Sequence, residues 1–390
     1  MYPFAVYIWT LQSSRDRMKA FHSHNPFDIP MPRILPLLLL FPLLFPLLGC
    51  QPCCLPPGST AVTLKPVAVD EAAAYPSQEP GTKPPILTGF TSLSKEQLDE
   101  GWVQLFDGVS TFGWTKIAGN DELCVKEHGN IFDIDRRPLK GLTPDKTADW
   151  DLTAEHWFAG VQLRGAGDEL TIHDEDKISA FVARGVNWGG SGNTKIITEI
   201  RVRTREYPRL TESDWKPAAG ASQAKWSDGV LELAGGSGMV ESVKEYGDFI
   251  LQLEYFTEKA PGKEGTNSGV FFRCIPGENM NGYECQIFNA PPEEDYTKFI
   301  GTDTGGIFRR QVGRNVGPKD GEWNYLTIAA RGPQMATWVN GIQVTDWMDT
   351  REEHANPRNG LRLTPGTIQL QGHDVDTKIL FRNFRIAEIR

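Results

Sequence analysis

Asn267–Arg273 reads NSGVFFR, and Gly282–Ile287 reads GYECQI. Side chains of an extended strand alternate between two faces. The first segment then shows Asn267, Gly269, Phe271 and Arg273 on one face and Ser268, Val270 and Phe272 on the other. The second shows Glu284 and Gln286 on one side and Tyr283, Cys285 and Ile287 on the other. Each carries a polar stripe opposite an apolar one. Buried polar groups cost free energy unless paired, so such a stripe marks a wet sheet face or a site.

The same pattern extends outward from this pair. KWSDGVLEL (Lys225–Leu233) holds an Asp-Gly turn before an alternating strand. EYGDFILQLEYF (Glu245–Phe256), GEWNYLTIAAR (Gly321–Arg331), TIQLQGH (Thr367–His373) and KILFRNFRIAEI (Lys378–Ile389) read as further strands. MATWVNGIQVTDW (Met335–Trp347) centres on Asn340-Gly341, a strong hairpin signal. Strands recur with turn residues between them and no long helical period appears, which predicts an all-β sandwich or jelly roll.

Upstream the pattern is less regular. SKEQLDEGW (Ser94–Trp102) has the spacing of a capping box, Ser94 with Gln97, and predicts a short helix. VQLFDGVSTFGW (Val103–Trp114) follows. Phe158–Leu163, Glu169–Ile172, Ile178–Arg184 and Lys195–Thr204 are strand-like. His173-Asp174-Glu175-Asp176 lacks the ligand spacing and glycine of a calcium loop and reads as a solvated turn. Gly189–Asn193 has neither the Lys-Ser/Thr nor the helix of a phosphate loop and reads as a turn. His128 and His156 stand alone.

Met31–Cys50 reads MPRILPLLLLFPLLFPLLGC. Arg33 precedes a proline-broken apolar run that ends in a small residue and a cysteine, the pattern of a secretory signal. The LLGC ending looks like a lipobox, with Cys50 as the lipidated mature N-terminus and a start at Met31. Residues 1–50 are thus read as an over-called start plus signal peptide, and 51–90, rich in Pro and Ala, as a tether. Residues 91–212 are a first β-rich region and 213–390 a complete jelly roll.

The chain of 390 residues has 39 Gly, 27 Pro and 11 Trp, in keeping with many turns and aromatic strands. Its net charge of −10 argues against a nucleic-acid partner, which calls for a basic stripe. Six cysteines are few for a disulfide scaffold of this size.

FDG…FGW, DGVLEL, EYGDFILQLEY, NSGVFFR, GYECQI, GEWNYLTI, WVNGIQVTDW, IQLQGH and FRNFRI together resemble the bacterial 3-keto-disaccharide hydrolase domain family. The resemblance is dense from Trp226 to Arg390 and local at Gly101–Trp114. It implies a concanavalin-like jelly roll, preceded here by a degenerate first copy or a small β-rich insertion. It also implies an exported, envelope-anchored hydrolase or lyase that cleaves 3-keto-disaccharides or 3-keto-glycosides. The ketone acidifies the C2 hydrogen, so a base can form the enolate, the C1 substituent leaves and water adds. That route needs a base, a donor or cation for the enolate oxygen, and an acid. Glu284, Arg273 and His373 are the catalytic candidates, and Asn267, Gln286 and Gln371 suit hydroxyl recognition.

Each has a plainer reading. Glu284 and Arg273 make a cross-strand ion pair, Asn267 a turn residue, and His373 a loop cap. Cys274 and Cys285 are positioned for a disulfide if the geometry permits. Trp323, Trp338 and Trp347 are core aromatics or sugar platforms. No cofactor is assigned, with a divalent cation left open. The partners expected are a carbohydrate and, through lipid, a membrane. The alternative function is a non-catalytic carbohydrate-binding or adhesion module.

Overall fold

A computed structural model describes residues 5–10 and 86–389, except for 109, 111, 120–121, 126–131, 136–151, 159–160, 165–168, 173–177, 189–193, 205–206, 221–222 and 290–300. Cys50, His128, His173–Asp176 and Gly189–Asn193 lie outside the described residues. The described residues fall within one compact unit.

The second half supplies most of the architecture. The first-half elements are β1 (Ala5–Thr10), α1 (Lys95–Asp99), β2 (Trp102–Phe106), β3 (Trp114–Gly119), β4 (Glu122–Val125), β5 (Phe132–Asp135), β6 (Leu152–His156), β7 (Val161–Arg164), β8 (Glu169–Ile172), β9 (Ile178–Trp188) and β10 (Thr194–Thr204). After them come β11 (Trp215–Gly220), β12 (Gln223–Ser227), β13 (Val230–Ala234), β14 (Gly238–Ser242), β15 (Phe249–Thr257) and β16 (Ser268–Cys274). The chain closes with β17 (Tyr283–Ile287), β18 (Trp323–Arg331), β19 (Gln334–Val339), β20 (Ile342–Met348), β21 (Thr367–Gly372) and β22 (Lys378–Glu388).

From β13 onward the chain passes back and forth between two antiparallel sheets. The front sheet has the order β11-β14-β21-β16-β17, and the back sheet β12-β13-β22-β15-β18-β19-β20. This is a jelly-roll sandwich. Its core lies between the sheets and contains Val270, Phe272, Tyr283, Cys285, Ile287 and Leu370 from the front and Leu231, Leu251, Leu253, Ile328 and Phe381 from the back. The alternation read from β16 and β17 therefore places the correct residues inside. Asn340 and Gly341, at φ 49° and 79°, close the β19–β20 hairpin as expected. A Cβ on Gly341 would meet Leu93 Cδ1 at 2.5 Å, so close packing as well as φ requires glycine there.

In the first half, β2 pairs with β10 in a sheet of order β1-β9-β10-β5-β4, and β3-β6-β7-β8 form another. The α1 capping box forms in both directions, Gln97 N to Ser94 Oγ and Ser94 N to Gln97 Oε1. Val103, Leu105, Phe106, Ile200 and Val202 pack with Trp114, Phe158 and the back-sheet residues Ile250, Ala329, Ala336 and Trp338. The β15–β18–β19 part of the back sheet is thus buried on both faces. Asp107 and Arg314 form an ion pair buried on both sides. His156 is enclosed here against Gln343 Oε1 at 3.0 Å. Burial lowers its pKa to about 4, against the Gln343 bond, so it is neutral.

Asp346 on β20 accepts from Trp157 Nε1 at 2.8 Å and Gln334 Nε2 at 3.0 Å, both on Oδ1. Burial pushes its carboxyl from 3.8 up to about 6, the two donors pulling the other way. The native state then holds this proton more tightly than the unfolded chain does. Its contribution favours folding below the unfolded pKa and is lost as pH rises through about 6. Asp346→Asn keeps Oδ1 as acceptor and removes the ionised form. It is expected to stabilise the protein at pH 8 by about 1 kcal/mol, a value discounted for partial exposure, and to leave stability at pH 4 unchanged. A melting temperature at pH 8 that falls in Asp346→Asn counts against this account.

Candidate functional site

The outer face of the front sheet carries two polar rows. Register aligns Met239 with Gln371, and Gly269 with Gln286, and the β16–β21 pairing brings these four into one row. The next row is Glu241, Gln369, Phe271 and Glu284. Beyond β17 a further segment joins the sheet, with Phe308 N donating to Glu284 O at 3.0 Å and Gln286 N to Gly306 O at 2.9 Å. Phe308 thereby continues the second row past Glu284.

Glu284 sits between Phe271 and Phe308 on neighbouring strands, with 7% of its surface exposed. The Arg358 guanidinium lies over both rings, 5.2 and 5.6 Å from their centroids, and donates to Glu284 Oε2 at 2.9 Å. A Cβ on Gly269 would come within 3.0 Å of Glu284 Oε1, so glycine leaves the space into which the carboxylate leans. Burial raises the Glu284 pKa above its ordinary value, while Arg358, then His373 and Arg309, pull it down. The group is a desolvated carboxylate with a cation at one oxygen.

Asn267, Gln286 and His373 form a chain beside it. Gln286 Nε2 donates to Asn267 Oδ1 at 2.7 Å. Asn267 Nδ2 lies 3.3 Å from His373 Nε2, and His373 Nδ1 lies 2.9 Å from Asp374 Oδ2. These partners assign the proton to Nδ1 and leave Nε2 as the acceptor. Gln371 belongs to the same face and is 4% exposed. Five of the six sequence candidates therefore share one face of the sheet or its edge.

Arg273 does not join them. Strict alternation puts it beside Glu284, but a bulge falls between Phe271 and Cys274, and Arg273 has φ 49°. Its side chain turns into the end of the sandwich and is 0% exposed. It donates to Gly247 O (3.0 Å), Gly332 O (2.7 Å), Arg362 O (3.1 Å) and Asp248 Oδ1 (2.8 Å). The expected Glu284–Arg273 pair is replaced by Glu284–Arg358 and Asp248–Arg273.

Sequence reading also missed Glu241. It accepts from Gly277 N, Thr367 Oγ1 and Gln369 Nε2 and pairs with Lys216 at 3.1 Å. Burial raises its pKa, but these donors outweigh burial and leave it below the ordinary value. It is a fixed anion that braces the sheet and is poorly suited to accept a proton.

Cys274 and Cys285 are free and buried. Cys285 faces Val270 across the ladder and points into the core, while Cys274 lies on the outer face with Met239 and Phe271, so no disulfide forms. Trp338 is fully buried under the first half. Trp323 lies on the back sheet under Arg382, at 3.8 Å, rather than in the core. Trp347 meets the Tyr283 ring edge-on at 6.1 Å. Among the described residues, no three His, Cys, Asp or Glu side chains are grouped as metal ligands, and no helix is long and apolar enough to cross a membrane.

No curated protein matches the chain. Among solved structures it is similar to a proposed glycosyl hydrolase from Parabacteroides distasonis, at 26% identity over 45% of this chain and 99% of that one, with a TM-score of 0.36. A second such protein from the same organism is 19% identical over 46% and 90% of the two chains, with a TM-score of 0.38. Bacillus licheniformis beta-glucanase is 15% identical over 47% and 96%, with a TM-score of 0.32. The sandwich matches, over residues 210–387, the family described as the 3-keto-alpha-glucoside-1,2-lyase-like domain, the family that its strand motifs resemble.

Proposed function

We propose that the sandwich is a carbohydrate-active enzyme domain that cleaves 3-keto-glycosides on the outer face of its front sheet. The observation that carries this is Glu284: a carboxylate desolvated between two phenylalanine rings, its pKa raised, with Arg358 on one oxygen. A base of this kind suits a carbon acid such as the C2 hydrogen beside a C3 ketone. Glu284 takes that proton, and the electron pair passes into the C2–C3 bond and onto the C3 oxygen. Arg358, and not Arg273, stands where a cation can hold this enolate. The enolate then expels the C1 oxygen substituent, which takes the proton from Glu284 as it leaves, and a C1=C2 double bond forms. Water adds at C1, and the proton it gives up returns to C2. His373 Nε2, with its other nitrogen on Asp374, is suited to deprotonate that water.

Incubation with 3-keto-trehalose, following release of free glucose, tests this. Absence of release, with and without a divalent cation, overturns it. A purely binding module would present aromatic platforms, and Trp323, Trp338 and Trp347 all lie away from this face.

We also propose, on the sequence pattern alone, that Cys50 carries a lipid that holds the protein to the cell envelope. Cells fed labelled palmitate are expected to label the full chain and not its Cys50→Ala variant. Equal labelling of both overturns the anchor.

A further inference from the structure

The segment between β16 and β17 folds back over the outer face. Gln369 Nε2 donates to Glu278 O at 2.8 Å, and Arg358 Nε donates to Met280 O at 2.8 Å. These bonds seat Met280 above Gln371. Three features of that contact mark it as provisional. Met280 has φ 56°, a left-handed conformation that is uncommon outside glycine and asparagine. The residue is 42% exposed although it lies over a buried amide. Its thioether, a weak acceptor, is the one partner of Gln371 Nε2 among the described residues, at 3.6 Å. Gln371 Oε1 is buried with no hydrogen-bond partner among the described residues, and such an atom costs stability until it finds one.

An amide with an idle acceptor and a poorly used donor matches a hydroxyl, which donates to Oε1 and accepts from Nε2. Gln371 also lies in the row of Gly269, over which the Glu284 carboxylate leans. Gln371 and Glu284 are on strands separated by β16 alone, about 10 Å apart at the backbone, a distance that a disaccharide held at Gln371 spans.

We propose that Gln371 is a hydroxyl-binding subsite stoppered by Met280, and that sugar enters by displacing the Met280 side chain. This rests on the outer face being the sugar site. Met280 is then a specificity-determining residue: it sets how much binding free energy is spent on opening the subsite.

The test compares the full chain with Met280→Ala, Gln371→Leu and the double variant. Binding of unoxidised trehalose is followed by saturation-transfer NMR, and thermal melts confirm the fold. Met280→Ala is expected to bind trehalose about tenfold more tightly and to lower KM for 3-keto-trehalose by a similar factor with little change in kcat. The double variant is expected to lose that gain. Trehalose binding unchanged in Met280→Ala overturns the proposal, as does a double variant that binds as tightly as Met280→Ala. Failure of the wild type to turn over 3-keto-trehalose overturns the enzymatic function alone, because the trehalose comparison is decided by binding.

Discussion

Arg273→Ala is expected to lose most of the stability of the sandwich rather than a catalytic step. The guanidinium is fully buried and makes four hydrogen bonds that join the start of β15, the β18–β19 turn and the Arg362 segment. Removing it takes this donor from the carbonyls of Gly247, Gly332 and Arg362 and leaves Asp248 Oδ1 with the Gly332 N–H alone. Breaking a buried charge network of this kind costs about 3–5 kcal/mol. Asp248 is 37% exposed and water can recover part of its loss, so the lower end is expected. Against a typical total of about 5–15 kcal/mol, that is a large share. Arg273→Lys is expected to do little better, since one ammonium cannot replace a planar fork spread over four acceptors. Urea titration followed by circular dichroism measures both. A variant with wild-type stability and no turnover would return Arg273 to the active site.

The error over Arg273 shows where reading by alternation stops. Period-two alternation placed Val270, Phe272, Cys285 and Ile287 in the core and Glu284 and Gln286 outside, because burial of one face leaves no freedom of register. The bulge at the end of β16 adds one residue, and every assignment past it changes sides. Bulges of this type favour a residue that tolerates positive φ, and here the chain uses arginine, whose own hydrogen bonds hold the strained backbone. Nothing in NSGVFFR announces this.

Arg358 was illegible for a different reason. It lies between β20 and β21 in REEHANPRNG, a segment with no period, so no sequence neighbour says what it faces. Its position is decided by Phe271, Phe308 and Glu284, which come from three separate parts of the chain. The docking of VQLFDGVSTFGW on the sandwich was equally hidden. Trp338 Nε1 donates to Gln104 O, Gln104 N donates to Gly341 O, and Asp107 meets Arg314, all across more than 200 residues of sequence. Only the resemblance at Gly101–Trp114 hinted that this stretch goes with the second half.

Glu284→Gln provides the sharpest test of the chemistry, because it changes charge and almost nothing of shape. Loss of a general base lowers turnover by roughly 10²–10⁴-fold, and the glutamine oxygen can still accept from Arg358. Sugar binding through Gln286, Asn267 and Gln371 is expected to persist. The pH dependence follows from the raised pKa. Glu284 acts only when ionised, so wild-type turnover falls as pH drops through a value above the ordinary 4.5, and that acid limb disappears with the carboxylate. Arg358→Gln is expected to move the limb higher still, since it removes the cation that opposes burial. Stability runs the other way from activity. A carboxyl whose native pKa is raised favours the fold below its unfolded pKa, and that contribution is lost as pH rises through the native value. Glu284→Gln is therefore expected to melt at or above the wild-type temperature at pH 7, where an ionised Glu284 is a cost to the native state. Residual turnover within tenfold of wild type, with the acid limb in place, would assign the base to another group, and His373 on Asp374 is the next in reach of the same face.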